Sequence, residues 1–189
     1  MNKDEVNKLL KWEHESEDEM WLDFIGADYG HKPPEKLNSI KEDKTRHASN
    51  LLKLLKLDQD SIVLDLGSGI GFIAEFIADH VKHIHCADIS GTFLNECKKN
   101  LKDKKNVDFH LIEYGNLDSL KNKSIKFVYA QAVFIHFNLF DMYIYLKAVY
   151  NLLPSGGQFL FDYSEIKYVD FSKESYFMKT LNLYLNDRI

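Results

Sequence analysis

Apolar residues recur every three or four positions over residues 45–57, where Ala48, Leu51, Leu52 and Leu55 would share one face of a helix. The pattern then changes. Residues 61–66 are short, apolar and β-branched, which predicts a strand. Helical spacing returns over 70–81 and strand patterning over 83–87. Helices are predicted again at 92–101 and 139–153, and strands at 107–112, 125–130 and 158–163. Pro154 and the Gly156, Gly157 pair stop the helix over 139–153. At the C-terminus Tyr176, Phe177, Thr180, Leu181 and Tyr184 predict a helix over 173–187. Strands alternating with helices imply parallel βαβ units, hence an α/β fold with a doubly wound, mainly parallel sheet.

Composition narrows the class. With 45% hydrophobic and 28% charged residues, the chain is neither disordered nor collagen-like. Its 189 residues suit one domain with a small appendage. The net charge of -5 carries no basic nucleic-acid footprint. That charge is uneven: residues 1–43 hold twelve acids against six lysines, so the acidity belongs to the N-terminal segment. The same segment holds both tryptophans, Trp12 and Trp21, and ends in the Pro33, Pro34 break. Residues 1–44 are therefore expected to form a helical cap or lid, and 45–189 the main domain. Cys86 and Cys97 fall inside predicted elements, so buried reduced thiols and a cytoplasmic protein are expected. The N-terminus alternates charged and apolar residues, unlike a signal peptide. No apolar run approaches the ~20 residues of a membrane helix, so no membrane partner is expected.

The sharpest chemistry lies where the first strand becomes the first helix, in the run Val63, Leu64, Asp65, Leu66, Gly67, Ser68, Gly69, Ile70, Gly71. Glycines there permit a tight turn and close ligand approach, with helix N–H groups facing the ligand. A dinucleotide loop has the spacing G-x-G-x-x-G. Here Gly71 comes one residue early, and Asp65 opposes a pyrophosphate. That acid suits a ligand with a positively charged end. Asp88, at the tip of the second strand, lies where an acid reaches ribose hydroxyls of an adenosine ligand. Ile89 can pack on the adenine, and an acceptor at Glu113 or Tyr114, where the third strand ends, can reach its exocyclic amine.

Four features in this order resemble the class I S-adenosylmethionine-dependent methyltransferases over about residues 45–163: the Asp65 to Gly71 loop, Asp88, the run from Phe127 through Ala130 and Gln131 to His136, and the stretch from Leu152 to Gly157. The resemblance implies a Rossmann-like sheet of the methyltransferase type, with S-adenosylmethionine as cofactor and S-adenosylhomocysteine as product. It places Gly67, Ser68, Gly69 and Gly71 against the methionine part and Asp65 on its ammonium. Asp88 would bind the ribose, with Ile89 beside the adenine. Glu113 and Tyr114 would read the adenine, and Ala130 and Gln131 would border the sulfonium. Val128 stands after Phe127 where the family often has Asp. The family usually follows its fifth strand with a helix and a two-strand hairpin. Too few residues follow Tyr163 for that, so either the sheet lacks the hairpin or the chain is a shortened one. An uncovered fifth strand would invite pairing with another chain, a homodimer among the possibilities.

The acceptor is expected to be a small molecule methylated on O or N. Ala130, Gln131, Ala132 and Val133 stand where the family's nucleobase enzymes carry Asn/Asp-Pro-Pro-aromatic, and the acidic segment repels phosphate. His136 is the candidate general base; the alternative is that it caps or braces the helix beginning near Asn138. Trp21 and Tyr29 are candidate lid or substrate contacts. His80, His83 and His85 stand together, but no carboxylate or cysteine is spaced along the chain to close a metal site, and none is expected. A non-catalytic, methyltransferase-like cofactor-binding or partner subunit is the alternative function. A nicotinamide oxidoreductase is disfavoured by the glycine spacing and Asp65.

Overall fold

The computed structural model describes residues 35–165 and 177–184. The chain runs α1 (Glu35–Leu55), β1 (Ile62–Leu66), α2 (Phe72–Ile77), β2 (His83–Asp88), α3 (Gly91–Asn100), β3 (Val107–Leu111), β4 (Phe127–Ala130), α4 (Leu139–Leu152), β5 (Gln158–Glu165) and β6 (Phe177–Tyr184). Single 3-10 turns lie at Asp118–Leu120 and Phe134–His136. The six strands form one sheet in the order β3-β2-β1-β4-β5-β6. The first five are parallel, as the alternation of patterns predicts.

Alternation along the strands divides the core between the two faces of the sheet. Val63, Ile84, Cys86, Tyr129 and Leu160 point toward α1, α2 and α3, where they meet Ala48, Leu51, Leu55, Ile77, Cys97 and Leu101. Leu64, Leu66, Val128, Phe159 and Phe161 point to the other face and pack on Phe134 and on Tyr145, Val149 and Leu153 from α4 and its end. Both cysteines are buried free thiols. Burying these apolar side chains is the main favourable term in the fold.

Three expectations change. Helix α1 starts at Glu35, ten residues earlier than the periodicity placed it, so it runs through the expected boundary between 44 and 45. Helix α2 is six residues long, because the glycine loop occupies the start of the expected 70–81 helix. The third change is a correction. Residues 177–184 are not helical; they form β6, antiparallel to β5, with Phe161 opposite Leu181. The β5 edge offers a row of unpaired N–H and C=O groups, and this segment satisfies it. The sheet thus gains a strand beyond β5, and β5 is not an open edge for a second chain. Among the described residues, no helix is long and apolar enough to cross a membrane.

Candidate functional site

The open edge of the sheet is built where β1, β2 and β4 end. The amides of Gly67 and Ser68 both donate to the Ala87 carbonyl, at 2.8 and 3.1 Å, which ties the loop after β1 to the end of β2. Gly67, Gly69 and Gly71 all take positive φ, at 76°, 52° and 84°. Each serves a different contact. A Cβ on Gly67 would stand 2.4 Å from Val133 in the loop after β4. One on Gly71 would meet Leu101 Cδ1 at 2.4 Å and Cys97 Sγ at 2.6 Å, so this glycine lets α2 pack close to α3. A Cβ on Gly69 would meet nothing within 4 Å. Space for a ligand therefore opens at Gly69.

Asp88 links the two halves of the sequence motif. Its Oδ2 accepts the Gly69 amide at 2.8 Å and its Oδ1 accepts the Ser90 amide at 2.9 Å. Ser90 in turn caps α3 by accepting the Phe93 amide. Burial raises the Asp88 pKa, and these backbone bonds offset part of that rise. Ile89 beside it is half-buried against the α4 side of the core.

Asp65 is only 3% exposed. It lies within β1, opposite Cys86 of β2 and Tyr129 of β4. Burial pushes its pKa up to about 7. The Tyr129 hydroxyl and the Lys44 charge oppose that rise, while the Asp88 charge adds to it. Tyr129 is fully buried, with its hydroxyl toward the Asp65 carboxylate.

A third buried carboxylate, Asp162 on β5, escaped the sequence reading. It accepts the Ala132 amide at 2.8 and 3.0 Å and the Gln131 side-chain amide. Ala132 is held at a φ of 59°, a left-handed conformation that costs a residue with a Cβ roughly 1–2 kcal/mol. Two bonds to one carboxylate hold it there. Burial raises the Asp162 pKa, and Lys44 and His47 of α1 lower it. Neither Asp162 nor Lys44 sits in a motif. Only the pairing of β5 with β4, and the passage of α1 along this edge, bring them to the site.

The remaining predicted residues divide. Ala130 ends β4, fully buried, and Gln131 follows it beside Asp162. Glu113 is exposed and accepts the Asn116 side-chain amide at a long 3.5 Å. The Tyr114 hydroxyl donates to Asp141 at the start of α4, so this side chain is tied to that helix. His136 is exposed on the 3-10 turn Phe134–His136. Asn138 and Asp141 cap α4 reciprocally. Trp21 and Tyr29 lie outside the described residues. His83 and His85 share a face of β2, and the carboxylate missing along the chain arrives from β3 as Asp108, 3.3 Å from His83. Burial lowers the pKa of His85 to about 4, which leaves its ring neutral.

These residues fit a nucleoside ligand with a cationic end. The Ser68 Oγ is buried in the glycine loop with no hydrogen-bond partner among the described residues. Gly69 faces open space, and three buried carboxylates gather at one edge. This sheet order, with the glycine loop after β1, is the Rossmann-like arrangement of methyltransferase domains. Residues 63–157, half of the chain, match the family described as Methyltransferase domain, and the chain belongs to that family. Ribosomal RNA small subunit methyltransferase A of Syntrophus aciditrophicus (strain SB) is 25% identical over 79 residues, covering 40% of this chain and 28% of that protein. An S-adenosylmethionine-dependent methyltransferase from Clostridium acetobutylicum superposes with a TM-score of 0.54 at 21% identity, over 66% of this chain and 50% of the other. Phosphoethanolamine N-methyltransferase 1 of Haemonchus contortus, solved with phosphoethanolamine and S-adenosylhomocysteine, superposes with a TM-score of 0.61 at 16% identity. That match covers 79% of this chain and 32% of the other. The chain thus spans half or less of the length of these relatives.

Proposed function

We propose that this protein transfers a methyl group from S-adenosylmethionine to O or N of a small-molecule acceptor. The observation that carries the reading is the coupling of Asp88 to the Gly69 amide at 2.8 Å, with open space at Gly69 and, alongside, a Ser68 hydroxyl unpartnered among the described residues. Asp88 would accept the ribose hydroxyls. The Gly67 to Gly71 loop would receive the methionine part, and Ile89 and Tyr114 would flank the adenine. Asp65 would lie beneath the ammonium, and Ala130 and Gln131 would border the sulfonium. When bound, the cofactor supplies an activated methyl on a positively charged sulfur. The protein's share is to align the acceptor and exclude water.

His136, on the rim after β4, is the group at hand to take a proton from a hydroxyl acceptor. The net acidity of residues 1–43 supports a small acceptor over a phosphate backbone. A cytoplasmic location follows as part of the same proposal. Calorimetric titration with S-adenosylhomocysteine, with NAD as control, tests the cofactor. Transfer of labelled methyl to a metabolite extract against ribosomal RNA then tests the acceptor. Heat with NAD and none with S-adenosylhomocysteine would overturn the reading. Label appearing in RNA alone would replace the small acceptor. Cofactor binding without transfer to either would favour a non-catalytic subunit.

A further inference from the structure

One polar cluster takes no part in the proposed reaction. β2 and β3 pair in parallel, with His85 opposite Asp108 and Ala87 opposite His110. The two-residue period of a strand therefore puts His83, His85, Asp108 and His110 on one face. The chain from β3 to β4 forms only the 3-10 turn Asp118–Leu120 and no α-helix, and β3 is the edge of the sheet.

We propose that this face carries a structural site for a divalent transition-metal ion of the zinc type, held by His83 Nε2, His85 Nδ1 and Asp108 Oδ2. The three ligand atoms all lie within 4.8 Å of one another. The Asp108 oxygen is 3.3 Å from His83 Nε2 and 3.5 Å from His85 Nδ1. Ligands bonded to tetrahedral zinc at about 2.0–2.1 Å lie roughly 3.3 Å from one another, so both spacings suit a shared ion. Two imidazoles and a carboxylate form a donor set of that class. His83 Nε2 is buried, and its approach to Asp108 falls outside hydrogen-bond geometry. A buried nitrogen without a well-formed hydrogen bond is costly, and a metal bond would satisfy it. His110 Nε2, 3.1 Å from His85 Nδ1, is the side chain at hand for a fourth position. Lys123 Nζ, 3.9 Å from the Asp108 oxygen, competes for that carboxylate. The pair is solvent-exposed, so an ion displaces it at little cost.

His83 opens β2 and Asp88 closes it. Along β2, three residues separate His85 from Asp88, roughly 10 Å, and five separate His83 from it, roughly 16 Å. The ion therefore pins edge strand β3 to β2 and stays apart from the cofactor.

The test is calorimetric titration of zinc into the full chain after chelator treatment, with thermal unfolding in parallel. One equivalent should bind with a Kd of about 1 µM or tighter and raise the melting temperature. His83→Gln and Asp108→Asn, both at partly exposed positions, should each weaken binding at least about tenfold. Lys123→Ala should tighten it. Cobalt(II) in place of zinc should show visible absorption that Asp108→Asn abolishes. No binding at about 100 µM zinc, or unchanged affinity in both His83→Gln and Asp108→Asn, would overturn the site.

Discussion

Asp88 and Gly69 stand 19 residues apart in sequence and 2.8 Å apart in space, carboxylate oxygen to amide nitrogen. The acid that would bind the ribose thus also shapes the loop that would receive the rest of the cofactor. Asp88→Ala should act twice. It leaves the Gly69 and Ser90 amides without their acceptor, and it removes the ribose partner. Binding of S-adenosylhomocysteine should weaken by about one to two decades, a loss of roughly 1.5–3 kcal/mol. The melting temperature should fall as well, with circular dichroism still native. Unchanged affinity in calorimetry would move the ribose contact elsewhere.

The glycines separate folding from binding. Gly71→Ala drives a methyl into Leu101 and Cys97 at a φ of 84°, and should cost about 2–4 kcal/mol of stability. Gly69→Ala meets no neighbour within 4 Å and carries only left-handed strain, about 1–2 kcal/mol. Its methyl nevertheless enters the space assigned to the cofactor. Denaturant unfolding should therefore single out Gly71→Ala, while Gly69→Ala loses cofactor affinity beyond its loss of stability. Normal binding by Gly69→Ala would place the ligand away from that loop.

Asp65 imposes a pH dependence of definite sign. Its native pKa of about 7 stands above the reference value of 3.8, so the folded protein holds a proton there more tightly than the unfolded chain does. The stability this group contributes is full below 3.8, declines as pH rises toward 7, and is gone above it. Asp65→Asn removes that titration. Melting temperatures of the variant should gain on the wild type as pH rises through this window. Parallel curves for the two proteins would assign the titration to another carboxylate.

Asp162 holds the loop after β4 in place. Asp162→Ala strands the Ala132 amide and the Gln131 side chain, and should cost about 1–3 kcal/mol. The contact of Val133 with the glycine loop should loosen, so cofactor affinity falls too. Ala132→Gly relieves the left-handed strain and should stabilise the fold by about 0.5–1 kcal/mol, after its own entropic cost. A lower melting temperature for Ala132→Gly would mean that the strain is relieved by other means.

The aromatic segment around Trp21 and Tyr29 is proposed as a lid ordered by cofactor. Protease cleavage between residues 26 and 36 should slow when saturating S-adenosylhomocysteine is added. Equal cleavage rates with and without ligand would make these aromatics packing or partner contacts. Because α1 begins at Glu35 and carries core residues from Ala48 on, a truncation that spares the helix must stop before Glu35.

Local pattern was enough for much of the fold. Period-two apolar runs, helical spacing and glycine punctuation located β1 through β5, α3 and α4, because each depends on residues close together in sequence. The Asp65 to Gly71 loop and Asp88 were legible for the same reason, since the phosphate-free glycine spacing and the strand-end acid are features of one βαβ unit. The C-terminal segment was misread because Phe177, Thr180, Leu181 and Tyr184 satisfy helical spacing, while the β5 edge supplies hydrogen bonds that no local rule can see. Asp162, Lys44 and Asp108 share that lesson. Each gains its place from strand pairing or helix passage: Asp162 from β5 lying beside β4, Lys44 from α1 running past the sheet edge, Asp108 from β3 registering against His85. The amino-acid order by itself determined β1 through β5, α3, α4 and the position of the glycine loop. Only the tertiary structure decided which distant carboxylates and imidazoles share a site, because burial and strand register are properties of the assembled sheet.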